Sequence, residues 1–455
     1  MSHSVSPWGT RAVSVLGVLL VTAYVGLTAW AATRTPYDIW IALLVLPLLV
    51  LVSVPMLLKA GHRDPDPRFI RILMWAFVVK ILATAARYGL AFWIYGGPSD
   101  AAAYHNEGTR LAIEYRAGNF SAELGRDFIG TGFIRALTGG LYAVTGPSMY
   151  LAFGVFALLA FWGTYFLYRA FRVAVPGGDA RRYAFLVLFL PSMLYWPSSL
   201  GKEAFMILGI GLFAYGSAQL LSGYHRWPGP LVIGVLMTGV VRPHVTAALF
   251  VALGVAFLLR RRPTPATELT PLVYVASAVV LAVSGLAVVW QAASFLNIDG
   301  LSVSSLDSAI DDTAQRTDTG GSSFESTGVD GLADLPLAAF SVLFRPTIVE
   351  ASNPQMLLAA AESALLMLLV VLAWRSLVQV PGRLRREPYL IMCLVYVLLF
   401  IFAFSNFSNF GMLTRQRVQV LPFVLVFLAL RRPPPTYEAE APDAAVENTR
   451  QGAST

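Results

Sequence analysis

The chain has 455 residues, of which 56% are hydrophobic and only 13% charged, and its mean hydropathy is +0.65. That apolar content excludes a soluble globular fold of this length and predicts an all-α polytopic membrane protein. The net charge of +7 does not indicate a nucleic-acid partner, because most basic residues flank apolar runs. Cys393 is the single cysteine, so there is no disulfide framework.

The apolar runs predict about twelve transmembrane helices in one transmembrane domain, residues 1–432. The first run ends in Ala29-Trp30-Ala31, which is similar to a signal-peptidase site, but its long apolar core favours a retained span. Two further stretches, 128–146 and 335–347, are glycine-rich or short and are expected to be re-entrant or interfacial helices. The predicted spans are 12–32, 38–58, 70–95, 148–168, 183–196, 204–222, 229–241, 245–259, 270–292, 354–374, 388–404 and 418–430.

Basic clusters in the short loops predict the orientation of the chain, since Lys and Arg accumulate on the cytoplasmic side. With twelve spans, these clusters and both termini fall on one side, which we expect to be cytoplasmic. The larger segments 96–146, 297–336 and 405–417 then lie on the outer side of the cell membrane. The proline-led residues 433–455 predict a disordered cytoplasmic tail. The clusters are at 59–71, 169–182, 226, 260–262, 375–386 and 431–432.

Three polar interruptions separate short apolar runs: Pro191–Glu203, Arg242–His244 and Thr414–Arg417. An ionisable group at membrane depth costs a few kcal/mol or more, so such groups usually face a cavity and carry function. The basic members, together with Arg345, map to the outer ends of spans and predict a cationic rim that suits a lipid phosphate. The alternative is that they snorkel to lipid headgroups. The residues of this rim are Lys202, Arg242, His244, Arg345, Arg415 and Arg417.

A second polar signal follows the third span, where Asp100 precedes Tyr104 and His105. A carboxylate at the mouth of a cavity can deprotonate an acceptor hydroxyl, and His105 could share that role. Asp100 could also cap the helix that starts there. A divalent metal at this site remains open, although no His or Cys cluster has zinc spacing.

Two cationic residues inside the third span, Lys80 and Arg87, lie seven positions apart and therefore on one helical face. Lys80 is near mid-membrane and needs an anionic partner, for which Glu362 is the best candidate. Glu350 is expected to join the outer cavity. The chain has no phosphate-binding loop and no dinucleotide fingerprint, which argues against ATP-driven chemistry.

The motifs at Asp100, Tyr104 and His105 resemble the acidic outer loop of the GT-C superfamily of integral-membrane glycosyltransferases. The blocks Pro191–Glu203, Arg242–His244 and Arg415–Arg417 are similar to motifs of bacterial surface-polysaccharide glycosyltransferases and polymerases. The resemblance covers about Asp100 to Pro422.

The resemblance implies transfer of a sugar from a polyprenyl-phosphate carrier to a glycan, lipid or protein acceptor on the extracytoplasmic side, in cell-envelope polysaccharide synthesis and without a cofactor. It implies that Arg415, Arg417 and Arg242 hold the carrier phosphate with help from Lys202 and His244. Asp100 would be the base, and Glu203 would bind sugar hydroxyls or neutralise Lys202. Two alternatives stay open: an O-antigen-polymerase-like enzyme, and a transporter or flippase of a lipid-linked or anionic solute.

Overall fold

The computed structural model describes most of the predicted transmembrane domain. The predicted tail 433–455, most of the span 270–292 and most of the acidic loop 297–336 lie outside the described residues. For residues 7–14, 16, 17 and 20 only the backbone is described. The described residues are 7–94, 96, 97, 99–121, 128–223, 228–260, 283, 285, 286, 333–407 and 409–431.

Helices account for the regular structure of these residues, apart from one isolated pairing of Gly178 with Leu430. A π-helical turn, Leu90–Ile94, continues α3, and another, Phe128–Gly132, precedes α5. The first nine helices are α1 Pro7–Arg34, α2 Tyr37–His62, α3 Phe69–Gly89, α4 Asp100–Arg116, α5 Phe133–Thr145, α6 Met149–Ala174, α7 Ala180–Phe189, α8 Pro191–Tyr195 and α9 Lys202–Leu221. The others are α10 Gly229–Val241, α11 Pro243–Leu259, α12 Leu335–Phe344, α13 Pro354–Leu372, α14 Trp374–Leu377, α15 Val380–Leu384, α16 Pro388–Phe404, α17 Phe410–Arg417 and α18 Leu421–Leu428.

Five helices in the described ranges are long and apolar enough to cross a membrane: Tyr37–His62, Phe69–Ile94, Met149–Ala174, Lys202–Leu221 and Pro354–Leu372. The described residues therefore confirm a helical fold with apolar helices of spanning length, whereas the count of twelve spans stays a prediction. The predicted single span 183–196 is wrong, because Leu190 adopts an extended conformation before Pro191 and divides it into α7 and α8.

Helix α9 packs closely against two neighbours because glycines remove the side chains at the contacts. A Cβ atom on Gly163 of α6 would collide with the Ile207 carbonyl of α9, and one on Gly216 of α9 would collide with Leu231 of α10. Small residues at such contacts let membrane helices approach backbone to backbone. Helix α9 is thus held firmly, and its first residues carry part of the candidate site.

The basic loops and the polar interruptions lie at opposite ends of the helix bundle. At one end, Arg181 pairs with Asp66 at 2.9 Å, and the Asp179 N–H donates to the Ala429 carbonyl at 2.7 Å. Asp64 and Asp66, which lie within the basic cluster 59–71, bind Arg172 and Arg181 there, and Arg431 lies 3.7 Å from Asp179. The chain directions then place Asp100, Lys202, Arg242 and Arg415 at the opposite end.

Candidate functional site

The chain stops being helical at Arg242 because Pro243 follows it. A residue before proline is restricted to extended conformations, and Arg242 has φ −142° and ψ 82°. Pro243 then starts α11, since proline is tolerated at the first helical position. Helix α10 has 13 residues and is therefore about 20 Å long, shorter than the roughly 30 Å of a hydrocarbon core. The break thus brings the Arg242 side chain into the protein, where it is 10% exposed.

Glu203 is the second residue of α9, which starts directly after an extended Gly201. Its side chain is only 4% exposed. A carboxylate in this position is favoured by the positive end of the helix dipole. A buried carboxylate also needs a close cation, because an unpaired charge inside the protein is costly.

Arg415 supplies a second cation from α17, whose start is fixed by Asn409: its side chain accepts a hydrogen bond from the Met412 N–H at 3.2 Å. Arg415 Nη2 donates to Glu203 Oε1 at 3.2 Å and to Asp100 Oδ2 at 2.7 Å. Arg242 Nη2 donates to the same Glu203 oxygen at 3.1 Å. We call Asp100, Glu203, Arg242 and Arg415 the carboxylate–arginine node. It joins parts of the chain more than 300 residues apart.

The node extends from the buried side chain of Glu203 to the exposed side chain of Asp100. Asp100 is the first residue of α4, and its side chain is 56% exposed, whereas that of Arg415 is 32% exposed. The expectation that Asp100 caps this helix is wrong: Ser99 precedes the helix, and the helix start has no side-chain cap. The Asp100 carboxylate binds Arg415 instead. The Asp100 carboxylate is therefore accessible to a ligand from outside the protein, whereas the Glu203 carboxylate is buried.

The node has an excess of positive charge once its neighbour Lys202 is included. Lys202 interacts electrostatically with Arg242, Glu203, Asp100 and Arg415, and the structure gives its ammonium no hydrogen bond or ion pair to the described residues. Three cations thus face two carboxylates. Arg242 Nη1 is buried and has no hydrogen-bond partner in the described ranges. The group has donors and net charge available for an anion.

Two other predicted residues lie beside the node. Tyr104 is buried on α4 and interacts electrostatically with Glu203, Asp100 and Arg415. Burial, reinforced by the two carboxylates, raises the pKa of Tyr104 to about 12, so its hydroxyl stays protonated. His244 lies within electrostatic range of Arg242 and Lys202. The negative charge of Glu203, and to a smaller extent that of Asp100, raises the pKa of Arg415. Arg415 therefore keeps its charge.

His105 takes part in a different contact. Its Nδ1 lies 2.8 Å from the Tyr142 hydroxyl, and its electrostatic partner is Asp38 at the start of α2. Burial lowers the pKa of His105, which favours the neutral ring. The structure therefore places His105 with Asp38 and Tyr142 and does not place it with Arg415.

Arg417 also lies outside the node, although it is only two residues from Arg415. It is fully buried, and its Nη1 donates to the carbonyls of Leu343 and Arg345 at 2.9 and 3.0 Å and to Ser363 Oγ at 3.1 Å. These contacts tie α17 to α12 and α13. Arg417 therefore acts as a structural connector in this arrangement, and Arg415 alone reaches the node.

Arg345 and Glu350 form their own pair after α12. The closest nitrogen–oxygen distance is 2.5 Å, and the Arg345 guanidinium lies 5.2 Å from the centre of the Phe410 ring. Burial opposes ionisation of Glu350, but hydrogen bonds from Arg345 and Thr347 hold its pKa below the usual value. Glu350 thus neutralises Arg345, at the edge of α17.

The predicted ion pair between Lys80 and Glu362 is wrong. Lys80 Nζ donates to the carbonyls of Met193 and Leu194, both at 3.3 Å, while Glu362 Oε2 accepts from the Ser192 N–H at 2.6 Å. The two charges bind opposite ends of α8 instead of each other. A cation at the carbonyl end and a carboxylate at the N–H end both complement the helix dipole.

Sequence reasoning missed a small cavity at the start of α17. It is lined by Trp196, Gln355, Met356, Phe410 and Thr414, among others. The available signals were Gln355 in the first turn of an apolar helix and Trp196 inside the Pro191–Glu203 block. For a metal, the described ranges contain no group of three or more His, Cys, Asp or Glu side chains suited to hold one.

Comparisons with protein-family models, with curated proteins and with solved structures give no match for this chain. The chemistry of the node is therefore the basis for assigning a function.

Proposed function

We propose that the chain is a membrane glycosyltransferase that moves a sugar from a polyprenyl-phosphate carrier to a glycan, lipid or protein acceptor. The observation that supports this most is the single Arg415 nitrogen shared by Asp100 and Glu203, at 2.7 and 3.2 Å. A guanidinium, a group well suited to bind phosphate, thus lies directly against an exposed carboxylate. A transferase with a phosphate leaving group needs both within one site.

The binding step follows from the charges. The carrier phosphate would replace Asp100 on Arg415 and would also engage Lys202 and the unused Nη1 of Arg242. Glu203 stays between the two arginines and keeps their guanidinium groups in place. Arginine suits this role because its planar donors match phosphate oxygens.

The transfer step uses the carboxylate that the phosphate releases. The acceptor oxygen attacks the anomeric carbon, and its proton passes to Asp100. The bond between that carbon and the phosphate oxygen breaks, and its electron pair stays on the phosphate. Arg415, Arg242 and Lys202 stabilise the charge that develops there. Tyr104, protonated and buried beside Asp100, can orient the acceptor hydroxyl.

The test uses the purified full chain in nanodiscs with radiolabelled polyprenyl-phosphate hexoses and pentoses and cell-envelope acceptors. Wild type is expected to move label from carrier to acceptor, and Asp100→Asn to lose at least about 100-fold in rate while still binding carrier. Full activity of Asp100→Asn with loss in Arg415→Gln would favour the polymerase-like alternative. Movement of unmodified solute without sugar transfer would favour a transporter.

The proposal places this site on the extracytoplasmic side and both termini in the cytoplasm. Labelling of single cysteines tests this, in a background where the buried Cys393 is replaced by alanine. A membrane-impermeant maleimide on intact cells is expected to label Ser352→Cys, at the site end, and to leave Arg63→Cys, at the basic end, unlabelled. The reverse pattern would contradict the orientation.

A further inference from the structure

The missed cavity has a volume of about 110 Å³ and lies where the end of α8, the first turns of α13 and α17 meet. Thr414 precedes Arg415 in the chain, and Trp196 begins the short segment that leads to Lys202. The cavity therefore shares chain segments with the carboxylate–arginine node, although none of the four node residues lines it. None of its lining residues comes from α4, which carries Asp100.

The lining combines aromatic faces with hydrogen-bonding groups. Trp196 and Phe410 supply the rings, and Gln355 supplies an amide that has both donors and acceptors. Gln355 is half-buried, and the structure gives its side chain no hydrogen bond to the described residues. An aromatic face and a free amide suit a ring that has both C–H faces and hydroxyl groups.

Unsatisfied polar atoms lie one helical turn beyond this lining on two of its helices. On α13, Ala359 lines the cavity and Glu362 follows, 4% exposed; on α17, Thr414 lines it and Arg417 follows, fully buried. Glu362 Oε1 and Arg417 Nε and Nη2 have no hydrogen-bond partners in the described part of the chain. These atoms do not line the cavity, and Glu362 and Arg417 lie within electrostatic range of each other. The choice of ligand therefore rests on Trp196, Phe410 and Gln355.

We infer that this cavity binds the ring of a carbohydrate, with Gln355 and Trp196 as the residues that determine which sugar is accepted. The biological role of this cavity rests on the proposed function, whereas the binding test below does not depend on it. Two sources share this chemistry: the sugar on the carrier and a sugar of the acceptor glycan.

Binding is measured without any transfer, by saturation-transfer difference NMR of the full chain in nanodiscs. The probes are the methyl glycosides of glucose, galactose, mannose and arabinofuranose. Gln355→Leu removes the amide, and Ala359→Phe fills the cavity without removing a polar group. Each is expected to weaken binding of the preferred probe about tenfold, while Leu358→Phe on the exposed face of the same helix leaves it unchanged. Thermal unfolding checks that the variants are folded.

The inference is overturned if no probe binds wild type, or if both cavity variants bind as tightly as wild type. Binding of a probe without any transfer by wild type would leave the cavity in place and remove the proposed transferase function. Sugar transfer by wild type, with probe binding that neither cavity variant weakens, would leave the transferase function in place and remove the cavity as a sugar site. In an active preparation, a raised KM for the carrier-linked donor in Gln355→Leu identifies the donor sugar as the occupant. A raised KM for acceptor alone identifies the glycan.

Discussion

Glu203→Gln is the most informative single substitution, because Glu203 is the only carboxylate that both arginines of the node contact in the described structure. The substitution keeps the shape of the side chain and removes its charge. Arg242 then loses its only ion-pair partner among the described residues, whereas Arg415 keeps Asp100. Most of the loss in stability should therefore come from Arg242, and little of it from Arg415.

The magnitude follows from burial. Removing one partner of a buried ion pair costs about 3–5 kcal/mol, and the Arg242–Glu203 pair meets that description with side chains 10% and 4% exposed. The Arg415 contact adds less than about 1 kcal/mol, because Arg415 is 32% exposed and remains paired. For a chain of this size, roughly 1–2 °C of melting temperature corresponds to each kcal/mol. We expect Glu203→Gln to lower the apparent Tm by roughly 3–12 °C.

The assay is thermal unfolding of purified variants in one detergent, followed by intrinsic fluorescence. Glu107→Gln is the matched control, since Glu107 and its partner Arg110 are 41% and 51% exposed, and we expect a change below about 0.5 kcal/mol. Arg242→Gln should lose less than Glu203→Gln, because Glu203 would still bind Arg415. The double variant should lose less than the sum of the two single variants.

A Glu203→Gln protein with the stability of wild type would refute the view that this carboxylate holds the node together. A larger loss in Arg242→Gln than in Glu203→Gln would also refute it. In that case Arg242, not Glu203, would be the group on which the other charges depend.

Arg415→Met is expected to lose sugar transfer at least about 100-fold with less than about 1 kcal/mol of stability. Arg417→Met should lose about 2–4 kcal/mol of stability, because it leaves the buried Leu343 carbonyl and the partly buried Arg345 carbonyl without their donor. Equal stabilities of the two variants in unfolding assays would contradict this division. Gly163→Ala should destabilise by about 2–4 kcal/mol through its clash with the α9 backbone, while Gly254→Ala, with nothing within 4 Å, should be neutral or stabilising. The pKa of His105 is lower in the folded chain than in the unfolded chain, so the unfolded chain binds the proton more readily. The stability that neutral His105 provides is therefore complete above pH about 6.5 and falls as the pH drops below that value. Between pH 8 and 5 the Tm of wild type should therefore fall more than that of His105→Gln, and parallel curves would show that this histidine is not responsible.

Local sequence signals predicted several helix bounds well. The predicted spans 229–241 and 388–404 coincide with α10 and α16. Each has a nearby proline that fixes a boundary: Pro243 follows α10, and Pro388 is the first residue of α16. The predicted span 418–430 was too long, because the helix covers only Leu421–Leu428. Apolar composition does not reveal where a buried chain stops being helical.

The grouping of polar residues was predicted less evenly. Lys202, Arg242 and Arg415 meet near Asp100, but Arg417 does not. Helical geometry predicts that Arg415 and Arg417 lie in different places, since residues two apart point to nearly opposite sides of a helix. Placing Arg415 and Arg417 in one phosphate site required an extended chain there, and α17 is helical through Arg417. The partners of each arginine come from helices that the sequence alone does not bring together.

The wrong pairing of Lys80 with Glu362 has a physical reason that also explains how the site is held. Charge complementarity between side chains can be inferred from sequence, but a short helix offers the same complementarity through its backbone ends. Lys80 and Glu362 use that option and hold α8 between two long helices, α3 and α13. Trp196 follows α8 directly, and six residues later Lys202 begins α9. The two buried charges therefore fix the starting point of the segment that supplies both the cavity wall and Glu203 of the node.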